Sequence, residues 1–367
     1  MAKTLRYGII GSGMMGQEHI RNIALLPDAE VTAVLEPDPA MRARTLALVP
    51  GAAVFDTLAD MLADVDAVVV ATPNDTHIEM LEAIRAVSDI PVLLEKPLFT
   101  NARTPPNIEG ENAVWVAMEY RYMPIIASFI EEVAKARASG ETLRMFSIRE
   151  HRFPFLEKVG DWNRFNERTG GTLVEKCCHF FDLMRLVIGT EPIRVFASGA
   201  ADVNHRDETY GGRTPDIIDN AFVVMDFACG ARASLDLCMF AEGSKFQERL
   251  TAITEARKVD CNVPGPGRFW PEDRLGPAPV AELIRSPRNP SGEELIEVPV
   301  DPALLDAGDH NGSTFYQHER FAHFVRGNGE IEVTMDDGYR AVRMGQAAQE
   351  SIRTGEAVSL IKGAFAL

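Results

Sequence analysis

The strongest constraint on this chain lies near its amino end, in the run Gly8-Ile9-Ile10-Gly11-Ser12-Gly13-Met14-Met15-Gly16. An apolar stretch at 7–10 enters a glycine-rich turn, and a helical stretch at 17–26 leaves it. Strand, turn and helix in that order aim unpaired N–H groups and the positive end of the helix dipole at the turn, which makes a seat for phosphate. Each glycine has its own task. Gly11 permits the tight turn, Gly13 lets backbone N–H groups approach a pyrophosphate, and Gly16 lets helix and strand pack closely.

The triplet gains meaning from the next strand. That strand, at 31–35, ends at Glu36, 20 residues beyond Gly16. An acid at about that distance, on the tip of the second strand, accepts hydrogen bonds from the ribose of a dinucleotide and repels a 2′-phosphate. The pattern therefore predicts a cofactor site for NAD, preferred over NADP, formed by Gly11, Ser12, Gly13, Met14, Met15, Gly16 and Glu36.

At 367 residues the chain has room for two domains and a core that needs no disulfide staples. Acidic residues outnumber basic ones 54 to 37, a net charge of −17, which argues against nucleic acid or an anionic membrane as partner. The five cysteines, odd in number and without repeated pair spacing, read as reduced thiols in or near the core of a cytosolic protein. The adjacent Cys177-Cys178 pair suits no metal clip, and no metal site is expected. The amino end enters a strand with no apolar leader, and no stretch is long and apolar enough to span a bilayer, so a cytoplasmic location is expected.

Up to about residue 120, strands (5–10, 31–35, 53–55, 66–71, 91–94, 114–119) alternate with helices (15–26, 38–48, 57–63, 76–87). Alternation of this kind predicts a doubly wound parallel sheet, the α/β Rossmann architecture. Thr57 and either Asp75 or Thr76 are candidate helix N-caps. Segment 98–112, with its prolines and no apolar stripe, reads as a loop in place of a helix. Beyond 121 the character changes. A helix at 124–138 precedes strands at 143–150, 193–199, 219–227, 231–238, 246–254 and 257–262, with a hairpin turn at 228–230. The expected organisation is a dinucleotide-binding domain at 1–121 and an α+β domain with a mostly antiparallel sheet at 122–367. Residues 263–292 read as an irregular excursion, and helices return at 314–326 and 336–353.

Ligands of an open α/β sheet bind beyond the carboxyl ends of its strands. Those positions hold Thr72-Pro73-Asn74 with His77, Glu95-Lys96-Pro97, and Tyr120-Arg121-Tyr122. Lys96 follows a buried strand and precedes a proline that biases it to extended geometry. An ammonium there can stabilise a developing alkoxide, although position alone also fits a solvated lysine. A second cluster lies on a helix ending at Gly189. Glu175, His179 and Asp182 are spaced i, i+4 and i+7 and share one face, where an acid beside a histidine raises its basicity. A buried histidine held by a structural acid has the same spacing.

Taken together, the glycine fingerprint, Thr72-Pro73-Asn74 with His77, Glu95-Lys96-Pro97, Arg121-Tyr122-Met123-Pro124 and Gly170-Gly171 with His179 and Asp182 resemble the glucose–fructose oxidoreductase, inositol dehydrogenase and rhizopine catabolism protein family (Gfo/Idh/MocA), over nearly the whole chain. The resemblance implies a Rossmann domain followed by a domain with a large open sheet that commonly forms the face of homodimers or homotetramers. It implies Lys96 and His179 as catalytic residues, and Thr72, Pro73, Asn74, His77, Glu95 and Lys96 around the nicotinamide half of NAD. The family's acid four residues before the histidine is usually Asp; here it is Glu175, which is expected to position His179 or hold a substrate hydroxyl.

The expected chemistry is hydride transfer between NAD and a hydroxyl or keto carbon of a sugar, polyol, sugar acid or glycoside. Arg121, Trp162, Asn163, Arg164 and Tyr316 are candidate substrate contacts, and His318 is read as a packed or surface residue. Three other readings stay open on sequence grounds: a lyase or glycosidase that uses tightly bound NAD transiently, a sugar-sensing regulator on the same fold, and a reductase of another carbonyl or imine.

Overall fold

The structure is a computed structural model that describes residues 3–101 and 113–361. From residue 102 onward the expected loop at 98–112 lies outside the described residues. The first part of the chain forms β1 (Leu5–Ile10), α1 (Met14–Ile23), β2 (Ala29–Leu35), α2 (Pro39–Leu48), β3 (Ala53–Val54), α3 (Leu58–Leu62), β4 (Ala67–Val70), α4 (His77–Arg85), β5 (Val92–Leu94) and β6 (Val114–Val116). Among the described residues these strands make a six-stranded parallel sheet in the order β3-β2-β1-β4-β5-β6. The order reverses between β1 and β4, which opens a crevice at the carboxyl ends of those strands.

Val68, Val69, Val70, Val92, Leu93 and Leu94 are wholly buried. Both faces of a parallel sheet are covered, so its central strands carry unbroken apolar runs rather than alternation. Each such side chain stabilises the fold by roughly 1.5–3 kcal/mol relative to exposure. Local signals end the elements as their chemistry dictates. The Thr57 hydroxyl accepts the Asp60 N–H at the start of α3, and Asp38 accepts the N–H groups of Ala40 and Met41 at the start of α2. Thr76 stands at the N-cap of α4 but its hydroxyl points back to the Pro73 carbonyl, 2.7 Å away.

The chain then forms α5 (Pro124–Ala138), β7 (Leu143–His151), α6 (Asn166–Thr169), α7 (Thr172–Glu175), α8 (Cys178–Ile188), β8 (Pro192–Ala200), β9 (Asn220–Phe227), β10 (Arg232–Cys238), β11 (Glu248–Thr254) and β12 (Arg257–Val263). After these come α9 (Glu272–Leu275), β13 (Ala281–Pro287), β14 (Glu294–Val298), α10 (Pro302–Ala307), α11 (Ser313–Val325), α12 (Met335–Thr354) and β15 (Val358–Ser359). Among the described residues a nine-stranded sheet runs β14-β13-β12-β11-β7-β10-β9-β8-β15, antiparallel throughout except where β10 pairs with β7. The irregular excursion expected at 263–292 instead contains α9 and β13, and β14 comes after it at the sheet edge. Flanking prolines hide this edge region from a reading by turn signals, yet a strand near the edge tolerates a terminal proline such as Pro287.

The expected continuous helix through Glu175 and His179 is broken at Lys176 and Cys177 into α7 and α8. The later helices return to the first sheet. α10 and α11 pack on α1, and the Val116 N–H donates to the Val333 carbonyl at the β6 edge. α12 lies close against α7, where a Cβ on Gly345 would sit 2.4 Å from the Leu173 carbonyl oxygen. Of the cysteines, Cys177, Cys178 and Cys261 are buried as expected and Cys238 is half-buried, whereas Cys229 is exposed at the β9–β10 hairpin turn.

Candidate active site

A cavity of about 1210 Å³ lies over the carboxyl ends of β1, β2, β4 and β5. The fingerprint turn forms its floor. Gly11 has φ +82°, a conformation that favours glycine, and its Cβ would meet the Ala71 carbonyl oxygen at 2.9 Å. A Cβ on Gly16 would lie 2.3 Å from the Gly11 carbonyl oxygen, so close contact between helix and turn requires glycine there. Gly13 differs: its Cβ direction is open, which leaves a bare backbone facing the cavity. Glu36 stands at the tip of β2, with its carboxylate accepting the Ser12 N–H at 2.6 Å and the Asp38 N–H at 2.8 Å. Arg42 lines the same end, tied to the Glu36 carbonyl oxygen rather than to the carboxylate.

At the other end the wall is made by Thr72, Pro73, Asn74, Glu95 and Lys96. The buried Asn74 amide nitrogen has no hydrogen-bond partner among the described residues. His77 does not line the cavity. It is buried behind it, with its two ring nitrogens 2.7 Å from the Pro97 carbonyl and 3.1 Å from the Thr72 carbonyl, and so braces the two loops against each other.

Lys96 donates from Nζ to the backbone oxygen of Glu175, 3.3 Å away, on the turn that leads into α8 and His179. Burial alone would push the Lys96 amine down. The neighbouring Cys178 thiol is itself pushed up to about 12. Cys178, Glu95, Glu175 and Glu119 together outweigh burial and keep Lys96 above its usual value and cationic. His179 is buried and, like Glu175, lies behind the residues that line the cavity; its Nδ1 has no partner among the described residues. Burial, reinforced by Lys96, Lys176 and His310, holds the imidazole well below its ordinary range, so it is uncharged at neutral pH.

The ring of Tyr120 stacks on His179. Its hydroxyl accepts from Lys176 Nζ at 2.6 Å and donates to Glu248 at 3.3 Å, and Lys176 also pairs with Glu150 at 3.0 Å. Glu175 directs its carboxylate not to His179 but to Lys158, 3.2 Å away. Its second oxygen is buried and unpartnered among the described residues. Lys158 lies over the Trp162 ring, and both belong to a segment that lines the cavity. Gly160 and Asp161 of that segment have φ +69° and +51°.

Behind Glu95 runs a chain of buried groups. Its carboxylate is 2.9 Å from His19 Nε2, and His19 Nδ1 is 2.8 Å from His318 Nε2. His318 is thus a packed residue. Beside this chain, Glu18 accepts from His310 Nδ1 at 2.6 Å, and the Thr314 hydroxyl bridges Glu18 and Glu119 at 2.9 and 2.7 Å. Burial would lower His310, but Glu119 and Glu18 raise it to about 9.

Several expected substrate contacts are engaged elsewhere. Arg121 forms a two-pronged pair with Asp182 at 2.6 and 2.5 Å, so neither residue faces the cavity. Asn163 donates to the Leu156 carbonyl, and Arg164 is buried and paired with Glu208. Tyr316 packs edge-on against Phe315. Trp162 alone of this group lines the cavity. The site residues that carry no sequence motif of their own are Tyr120, Lys176, Lys158, Glu119 and His310. Glu119 and Tyr120 follow the end of β6 by three and four residues, near the strand end where ligands gather, and that position is the one signal the sequence offers for them.

Residues 5–108 match the Gfo/Idh/MocA oxidoreductase family, NAD-binding Rossmann fold, and residues 140–254 match that family's C-terminal alpha/beta domain. The chain is 30% identical over 195 residues to the rhizopine catabolism protein MocA of Rhizobium meliloti, which spans 51% of this chain and 58% of that protein. It is 27% identical over 366 residues to inositol 2-dehydrogenase 2 of Saccharopolyspora erythraea, covering 96% and 94% of the two chains. Among solved structures it resembles a levoglucosan dehydrogenase in complex with NADH and levoglucosan, with a TM-score of 0.76 at 19% identity over 98% of this chain and 100% of the other. At that identity the likeness speaks for the fold.

Proposed function

Because this chain belongs to the Gfo/Idh/MocA oxidoreductase family, matched in both of its domains, we propose that it is an NAD-dependent dehydrogenase acting on a secondary hydroxyl of an inositol-like polyol or a sugar. One observation carries the reading: the cationic Lys96 lines the cavity wall and is anchored to the turn that presents the uncharged His179.

The residues fit a dinucleotide. The open face at Gly13 and the start of α1 suit a pyrophosphate, the Glu36 carboxylate suits ribose hydroxyls, and the unpartnered Asn74 amide suits the nicotinamide end. When bound, the nicotinamide supplies the acceptor for the hydrogen leaving carbon. His179 takes the hydroxyl proton on its uncharged ring. Lys96 Nζ stabilises the negative charge that grows on the substrate oxygen. The free oxygen of Glu175 holds a neighbouring hydroxyl, while Lys158 and Trp162 cover the ring and exclude water. The charge of Glu36 favours NAD over NADP.

The test is NADH formation from inositols, aldoses, sugar acids and glycosides, run with NAD and NADP. Turnover with a polyol and NAD, weakened for NAD in Glu36→Ala, supports the reading. Conversion of a glycoside without added NAD and without net NADH supports transient redox instead. Assembly belongs to the same proposal. Met145, Phe196, Phe222 and Val224 are exposed on one face of the nine-stranded sheet, a patch that suits a second copy of the chain. Light scattering of Phe222→Asp against the parent protein tests it.

A further inference from the structure

We propose that Glu18, Glu119 and His310 form a binding site for one divalent transition-metal cation, a site that goes beyond the dehydrogenase reading and does not depend on it. One ligand atom from each residue lies within 4.8 Å of the other two. They come from three places: α1, the segment after β6, and the loop before α11. The fold alone brings them together.

The decisive atom is Glu119 Oε1. Glu119 is 1% exposed, and this oxygen has no hydrogen-bond partner among the described residues. It lies 3.7 Å from His310 Nδ1. A proton shared between His310 and Glu18 accounts for their 2.6 Å contact, and Thr314 accounts for the other Glu119 oxygen. Neither serves Oε1. A buried carboxylate oxygen left without a partner is costly, and a cation in the triangle serves all three ligands at once.

Geometry and chemistry agree on the class of ion. Metal–ligand bonds of about 2.0–2.1 Å set tetrahedral ligands roughly 3.3 Å apart. The two contacts of His310, 2.6 and 3.7 Å, straddle that value, and all three ligand atoms lie within 4.8 Å of one another, so the side chains must turn to close on an ion. One imidazole and two carboxylates suit Zn²⁺, Co²⁺ or Mn²⁺, whereas Mg²⁺ prefers oxygen ligands and its own water. The outer contacts a metal site needs are present. The Thr314 hydroxyl bridges the two carboxylates, and the Asp309 N–H donates to the second oxygen of Glu18. Glycine at 308 makes room for the Glu18 carboxylate, since a Cβ there would sit 2.4 Å from its carboxyl carbon. The site adjoins the catalytic wall through Tyr120, whose ring centroid is 6.2 Å from that of His310.

The test is titration of chelator-treated full-length protein with Co²⁺ by absorbance and with Zn²⁺ by calorimetry, with Mg²⁺ as comparison. The expected result is one Co²⁺ per chain, with a spectrum lacking thiolate charge transfer. Zn²⁺ should bind at that site and raise the melting temperature, and Mg²⁺ should bind far more weakly. Glu119→Gln, close in shape, and His310→Asn should each weaken Co²⁺ binding by roughly tenfold or more, since losing a ligand costs at least as much as losing an outer partner. If either variant fails to fold, Glu18→Gln replaces it. No stoichiometric binding by the parent protein overturns the proposal. So does binding that persists unchanged in the variants, or a thiolate spectrum from exposed Cys229 or half-buried Cys238.

Discussion

The ring of Tyr120 lies flat against the imidazole of His179, with centroids 4.2 Å apart and planes within 9° of parallel. The phenol hydroxyl is held by Lys176 and Glu248, so the aromatic ring fixes the imidazole plane from a rigid, buried support. The ring, rather than the hydroxyl, does the positioning. Tyr120→Phe should keep kcat within about tenfold of the parent, whereas Tyr120→Ala, which frees His179 to tilt, should lower it on the order of 100-fold. Steady-state kinetics on folded variants checks this, and equal losses in the two would assign the effect to the hydroxyl instead.

Arg121 and Asp182 make a buried pair that joins the segment after β6 to α8. Removing one partner leaves an uncompensated buried charge. Arg121→Ala should therefore cost about 3–5 kcal/mol in stability, without a matching rise in KM. Urea unfolding together with substrate saturation separates this structural role from a substrate contact, which would raise KM and leave stability nearly unchanged.

The two catalytic groups set opposite limits on pH. His179 works uncharged, and its pKa is held well below 6.5, so loss of the base form occurs only in acid. Lys96 works charged, and its pKa is held above 10.5, so loss of the cation occurs only in strong alkali. The profile of kcat against pH should be flat between these limits. An ascending limb centred near neutrality would show that His179 titrates as an ordinary imidazole.

Acid stability has a separate source. Asp66 sits just before β4, and burial would raise its carboxyl, but hydrogen bonds from Arg6 and Lys3 of the β1 end lower it from 3.8 to about 2. The folded pKa is depressed, so the stabilisation is full above 3.8 and is lost as pH falls through about 2. Denaturation midpoints measured from pH 5 downward should fall less steeply for Asp66→Asn than for the parent protein.

The Rossmann half is legible in the sequence because its determinants are local. The glycines, the apolar strand runs and the Thr57 cap each act within a few residues of themselves. Strands β7 to β12 are legible for the same reason, since their alternation reports a sheet with one covered face. Edge strand β14 is not, because its half-exposed residues carry no periodic signal. At the site, Lys96 is legible from its place after a buried strand. The partners of Arg121, Glu175 and His179 are not. Asp182 lies 61 residues from Arg121 and Tyr120 lies 59 from His179, and neither separation leaves a spacing in the chain. The helical spacing of Glu175, His179 and Asp182 suggests one cooperating face. The break at Lys176 and Cys177 sends the three side chains to Lys158, Tyr120 and Arg121 instead.

The central claim is that an ammonium at Lys96 and an imidazole at His179 act on one substrate beside a bound dinucleotide. Its most direct test is the single-turnover rate of NADH formation in Lys96→Met and His179→Ala, using the best polyol from the substrate screen, with NAD affinity measured alongside. The account predicts a fall on the order of 100-fold or more in each variant, with NAD affinity retained. Near-parental rates in either variant, with NAD bound as before, would contradict it.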